Sequence, residues 1–151
     1  MTKIYTASSW KNKAYPEVVN LLQSLKYEVY DFRNAISTDG NKTAFNWEQI
    51  DQKWEDWDTN TFLNQITTNK LAINAFNSDL NGMLEADIGL LITPSGNSSH
   101  IEAGFMVGLG KPLYIYMSEH HQRPDLTYSL ACKIFTTFKE MELFFREKME
   151  W

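Results

Sequence analysis

Residues 85–117 read EADIGLLITPSGNSSHIEAGFMVGLGKPLYIYM, and this stretch decides the fold. Residues 88–92 are an apolar run of strand length, too short for a helix. Thr93 and Pro94 end it, and Pro-Ser-Gly-Asn-Ser-Ser forms a turn. Ile101, Phe105 and Leu109 then recur at helical spacing, which predicts a helix with these three inward and Ser98 or Ser99 as N-cap. Gly110 closes that helix, Lys111 sits at its negative end, and Pro112 opens a second apolar strand over 113–117. A strand, helix, strand unit with two buried strands implies a parallel sheet, with ligand chemistry at its carboxyl edge. Glu102 is expected in the first turn, where the helix dipole would keep it ionised, and Gly104 removes bulk beside it. That makes Glu102 the leading catalytic candidate.

Outward from this unit, residues 3–7 read as a first strand and 28–32 as a second. The helix between them carries Ala14, Val18, Leu22 and Leu25 on one face, with Asn12 as candidate cap and Pro16 in its first turn. Residues 33–46 read as a loop with a turn at Asp39-Gly40-Asn41. Trp47, Ile50, Trp54 and Trp57 fit one face of a short helix or two turns. Helices follow over 59–67, capped by Asp58 or Thr59, and over 69–84, with Leu71, Ala75, Phe76 and Leu80 inward. Gly82 inside the latter suggests a close approach to the backbone. Beyond the second unit strand lies a polar loop over 118–125, with His120, His121 and Pro124. A last strand over 134–138 and a helix over 139–149 follow, the latter with Met141, Phe144, Phe145 and Met149 on its apolar side. The expectation is an α/β three-layer sandwich with a five-stranded, mostly parallel sheet. It is one domain over 1–151, with an aromatic-rich excursion at about 33–67.

A chain of 151 residues can bury a core of this kind, and 43% hydrophobic with 22% charged residues is ordinary for a soluble globular protein. No apolar run approaches a membrane span, so no membrane partner is expected. The single Cys132 excludes an internal disulfide and a multi-cysteine metal site, so no metal is expected and a reducing cytoplasm is the default. A net charge of -5 without a basic cluster argues against long nucleic acids, while a single nucleoside or nucleotide needs only one local anion site.

Asn97, Ser98 and Ser99, with the helix start, form a candidate site for a phosphate or sugar hydroxyl. There is no GxxxxGK loop. His100 is either a base or phosphate partner or a structural histidine, and His120 and His121 read as solvated. Asp79, in the polar run Asn77-Ser78-Asp79-Leu80-Asn81-Gly82, and Asp87, just before the central strand, form a second carboxylate group. Asp87 alone reads as a helix-end or loop-amide partner. Two carboxylates at one sheet edge could divide attack and proton handling.

These motifs resemble the nucleoside 2-deoxyribosyltransferases and the related 2-deoxynucleoside 5-monophosphate N-hydrolases. The resemblance covers residues 4 to about 117. IYTASSW followed by NKAY is similar to the family's first strand and helix, and Tyr5 falls on its active-site tyrosine. DLNG at 79–82 is similar to the segment whose aspartate contacts the nucleobase. Glu102, in HIEAG followed by GLGKP, lies on the catalytic glutamate, which in that family attacks the anomeric carbon and hands the sugar to another base or to water. Two features depart from the transferases: Gly96 stands where they carry an acidic residue, and Ser98-Ser99-His100 is more reminiscent of the nucleotide-hydrolysing branch. The resemblance implies the flavodoxin-like strand order 2-1-3-4-5, no cofactor and a homodimer or higher oligomer, with the aromatic end at Trp151 completing a neighbour's pocket. It implies Glu102, Asp79 and Tyr5 as catalytic residues. Ser98, Ser99, His100, Asn81, Trp10, Asn97 and Trp47 are the candidate substrate contacts. Competing readings are a nucleotide-binding module without turnover and a small flavodoxin-like or Toll-receptor-like domain acting by protein contact or on a dinucleotide such as NAD.

Overall fold

The computed structural model describes residues 1–123 and 125–149, so Pro124 and Trp151 lie outside the described residues. The chain forms two compact units, one of Met1–Asp31 with Glu85–Trp151 and one of Phe32–Leu84.

The first unit holds the sheet. Its strands are β1 (Lys3–Ala7), β2 (Glu28–Tyr30), β3 (Ile88–Thr93), β4 (Leu113–Met117) and β5 (Lys133–Phe135). They run in the order β2-β1-β3-β4-β5 and all pair in parallel, as expected from the sequence and the resemblance. β3 is buried along its whole length. Three helices of this unit, α1 (Tyr15–Ser24), α4 (Asn97–Gly108) and α5 (Phe138–Lys148), cover the sheet.

The register assigns them to faces. Thr6, Leu90 and Tyr114 are mutual neighbours across β1, β3 and β4, so their side chains share a face. The Thr6 hydroxyl bonds that of Tyr15 on α1 at 2.8 Å, and Tyr114 packs on Phe144 and Phe145 of α5. The next row, Tyr5, Gly89 and Leu113, faces the other way, toward α4. This is a three-layer arrangement: α1 and α5, sheet, α4.

Several local expectations need correction. α1 is capped by no side chain; Asn12 is instead a buried strut. Its amide donates to the carbonyls of Pro94 (3.1 Å) and Ile92 (3.4 Å), while its oxygen accepts from the Ala14 N–H. On α5, Met141 and Phe145 are buried but Met149 is exposed, because the helix ends at Lys148. The C-terminus of α4 closes as foreseen, with Gly110 at φ 75° and the Lys111 N–H returning to the Met106 carbonyl.

The second unit starts with a 3₁₀ turn at Phe32–Asn34 and an isolated bridge between Ile36 and Lys42, closed by the turn at Gly40. Two further 3₁₀ turns, Trp47–Gln49 and Trp54–Asp56, carry the tryptophans. α2 (Thr59–Thr68) is capped by Asp58. α3 (Lys70–Glu85) buries Ala72, Ala75, Ser78 and Met83, whereas Leu71 and Phe76, expected inward, are exposed. Its buried face is built of small residues, which a search for large apolar side chains passes over.

Replacing Asn12 with alanine leaves the Pro94 carbonyl without its side-chain donor and the Ala14 N–H without its acceptor. The expected cost is about 1–3 kcal/mol in urea unfolding; a variant as stable as the parent would show that the strut carries no weight.

Candidate active site

In an open parallel sheet, the crevice for a ligand opens where consecutive connections leave in opposite directions, at the carboxyl ends of the strands. Here that point lies between β1 and β3, since the chain passes from β1 outward to β2 and from β3 outward to β4. The two loops that meet there are cross-braced. The Ser8 hydroxyl donates to the Ile92 carbonyl at 2.7 Å, and Asn12 holds the Pro94 carbonyl beyond the cis Thr93–Pro94 peptide. On the other side of β3, Ser118 donates to the Thr93 carbonyl through its N–H (2.9 Å) and its hydroxyl (2.7 Å).

The turn released from β3 leads directly into α4, whose N-cap is Gly96 and not Ser98 or Ser99. This shifts every residue of the helix inward by two or three positions. Glu102 therefore stands half-buried in the second turn and not in the first, and the dipole's influence has largely faded there. The face expected to be buried is also inverted: Ile101 is 73% exposed, with Phe105 and Leu109 exposed beside it, while Ser99, Ala103 and Met106 are buried. Small residues seat α4 on the sheet. A Cβ at Gly104 would meet nothing, so no crowding calls for glycine there.

The start of α4 divides its polar residues. Asn97 and Ser98 are exposed in the first turn, beside N–H groups that no helical carbonyl receives. Ser99 is buried, its hydroxyl shared between that of Ser95 (2.7 Å) and the Gly96 carbonyl (2.8 Å). His100 is engaged at both ring nitrogens. Nδ1 lies 2.8 Å from the Gly96 carbonyl and must carry its hydrogen there, which leaves Nε2 to accept from the Tyr128 hydroxyl at 2.9 Å. Burial raises the Tyr128 phenol above its ordinary value, so it remains a donor at neutral pH. The two rings also stack, at 5.7 Å between centroids. Tyr128 belongs to a 3₁₀ segment, Leu126–Leu130, whose start Asp125 caps.

Two residues along a helix turn through about 200°, so His100 and Glu102 leave opposite flanks of α4. His100 reaches toward the segment that precedes β5, so Glu102 leaves the helix on the flank away from that segment. The Tyr5 side chain rises from β1 on this same face of the sheet, beside Gly89, and stacks on Tyr30 with centroids 5.0 Å apart. Met106 rests directly over Gly89, and Glu102 is one turn nearer the carboxyl edge, about 6 Å higher. That level matches Ala7 and Leu91, two residues above Tyr5. Tyr5 is buried, Trp10 exposed in the turn after β1.

Asp87 is excluded from this edge. It accepts from the Lys3 N–H at 2.8 Å at the amino end of the sheet, so it is a structural partner. Asp79, Asn81 and Trp47 belong to the second unit: Asp79 is half-buried and Asn81 exposed on α3, and Trp47 packs among Phe45, Trp57 and Phe62. His120 and His121 are exposed, and among the described residues no group of three or more acidic, histidine or cysteine side chains could hold a metal. No helix of the described residues is long and apolar enough to cross a membrane. Tyr128 is the residue that sequence reading missed; a lone tyrosine in a polar segment carries no signal until the fold brings it to His100.

No protein-family model and no curated protein matches the chain. Solved structures do. A 2-deoxyribosyltransferase from Bacillus psychrosaccharolyticus is 18% identical with a TM-score of 0.64, over 93% of this chain and 90% of that one. A CMP N-glycosidase from Clostridium botulinum is 15% identical with a TM-score of 0.52, over 99% of this chain and 100% of that one. The α/β fold with a parallel sheet in the order 2-1-3-4-5 is therefore one that these enzymes share.

Tyr128→Phe removes the hydroxyl that fixes His100. It should cost about 0.5–1.5 kcal/mol and speed amide exchange across Leu126–Leu130. Unchanged exchange in that segment would mean that the stack alone holds it.

Proposed function

We propose that this protein cleaves the N-glycosidic bond of a 2-deoxynucleoside through Glu102 as nucleophile and transfers the deoxyribosyl group to another base. The observation that carries this reading is a half-buried carboxylate, Glu102, on the helix that leaves β3 at the switch point of the sheet, on the face where the Tyr5 side chain rises from β1. A deoxyribosyltransferase and an N-glycosidase with the same fold support it, as do the motifs around Tyr5, Asp79 and Glu102.

In this reading a Glu102 carboxylate oxygen attacks the anomeric carbon. The electron pair of the C–N bond leaves with the base, which takes a proton from a general acid. The glycosyl ester that forms divides one hard displacement into two easier ones. An acceptor base then displaces Glu102 and returns its N–H proton to the conjugate base of that acid, restoring the carboxylate and the acid. Tyr5 fixes the direction of the attacking oxygen. A 2-deoxy sugar suits the scheme, since a 2-hydroxyl would withdraw electrons from the developing cation. Trp10, exposed in the turn after β1, is the proposed contact to the base.

A second reading, hydrolysis of a 2-deoxynucleoside 5-monophosphate, is favoured by the first turn of α4, where Asn97 and Ser98 stand exposed beside unfilled N–H groups. Ser99 and His100 would then shape the turn, since their side chains are occupied within it.

Self-association belongs to the same proposal. Ile101, Phe105 and Leu109 form an exposed apolar stripe on α4, and a second copy of this chain packed across a two-fold axis would cover it.

Three measurements test these points. Glu102→Ala should fold normally and lose at least about 4 kcal/mol of transition-state stabilisation, near a thousandfold in rate; full activity in this variant would remove the nucleophile. Incubation with each 2-deoxynucleoside and its monophosphate, with and without a free base, should yield exchanged nucleoside. Free sugar phosphate, formed faster from the monophosphate and sensitive to Ser98→Ala, would transfer the assignment to the hydrolase. Light scattering should give a dimer or larger assembly that Phe105→Glu dissociates, and a monomeric parent at high concentration would contradict the proposed interface.

A further inference from the structure

The second unit carries chemistry that the proposed reaction leaves largely unused. From Trp47 to Asp58 the sequence WEQIDQKWEDWD places three tryptophans among five carboxylates and one lysine. Trp47 is the hub. Its ring meets Trp57 edge-on at 5.7 Å and Phe62 at 5.5 Å. Trp57 is fixed a second time, because its indole N–H donates to the Asp51 carboxylate at 2.8 Å. Asp58 is fixed as the cap of α2, accepting from the Thr61 N–H at 2.7 Å. Beside this braced group lies an open depression of about 240 Å³, lined by Trp54, Glu55, Trp57, Asp58, Thr59 and Phe62.

The lining selects by charge. It contains three aromatic side chains, two carboxylates and no cationic group. An anion would meet both carboxylates, and a neutral apolar guest would strip water from them without compensation. A strongly hydrated ammonium would lose its shell for little return. An ammonium carrying methyl groups is weakly hydrated, spreads its charge over a surface that ring faces attract, and is neutralised by the carboxylates at the rim. We infer that this depression binds a methylated ammonium group, either on a free small molecule such as choline or on a trimethylated lysine. The site lies within the second unit and does not rest on the reaction proposed for Glu102.

Isothermal titration of the full chain with choline chloride, against sodium chloride at equal ionic strength, tests it. Saturable binding is expected, with 3,3-dimethylbutan-1-ol, the uncharged isostere of choline, at least about tenfold weaker. Trp54→Ala should weaken choline several-fold. Glu55→Gln, at an exposed position that folding does not depend on, should weaken it while leaving the unfolding transition unchanged. Free trimethyllysine binding more tightly than choline would identify a modified side chain as the source; the reverse would identify a small molecule. Equal binding of choline and its isostere, absence of saturation by choline, or indifference to both substitutions would overturn the inference.

Discussion

Gly89 stands where α4 meets the sheet, and the position of the catalytic candidate follows from that contact. A Cβ at Gly89 would lie 3.4 Å from Met106 and from Leu113, so a larger side chain would press the helix away from β3. With glycine there, Met106 settles onto the strand, Ala103 and Ser99 follow it into the interface, and the helix axis lies close to the sheet. Glu102 is then carried on the flank of a closely seated helix rather than raised above it. Beside Gly89 in the register, the Tyr5 ring stacks on Tyr30 in the neighbouring strand.

This contact also explains where sequence reading failed. The strands were legible because buried parallel strands are continuous apolar runs, and 88–92 and 113–117 have no other plausible fate. Their termini were less so: β2 and β5 are shorter than expected at three residues each, since edge strands lose pairing on one side. The helices misled more. In α4 the large apolar residues Ile101, Phe105 and Leu109 marked a face, and the face was the wrong one. Periodicity reports that a stripe exists; it does not say whether the stripe meets the sheet or another surface. The sheet's glycine receives Met106, and the rest of that helix face is small, Ser99 and Ala103. The buried residues of α3 likewise include the small Ala72, Ala75 and Ser78, beside Met83.

Of the candidate site, Glu102 was legible through its motif and through its place after the central strand, while its surroundings were not. The cap at Gly96 moved the helix start, because an extended glycine with no side-chain acceptor leaves no mark in the sequence. His100 could not be assigned without Tyr128, which comes from a segment 28 residues away. Asp87 looked like a second carboxylate for the chemistry, yet strand polarity puts it at the far end of the sheet.

That polarity separates the two ends of the sheet by the kind of polar bond each uses. At the amino end the charges are spent on one another: Lys3 pairs with Glu28 at 3.2 Å and Glu85 at 3.4 Å, and its N–H is held by Asp87. These pairs are exposed and contribute little individually. At the carboxyl end the bonds run from neutral donors to strand carbonyls. Ser8, Asn12, Ser118 and Gln122 together receive the carbonyls of Ile92, Thr93 and Pro94. Those carbonyls would otherwise turn unpaired negative dipoles toward the crevice and oppose an approaching phosphate. With side chains bonded to them, the first-turn N–H groups of α4, which no helical carbonyl receives, are the polar groups left facing a ligand there. In the proposed reaction the anomeric carbon turns electron-poor, and Glu102, one turn inside α4, would offset that charge beside a wall whose other side chains, Ser8, Asn12 and Ser118, are neutral.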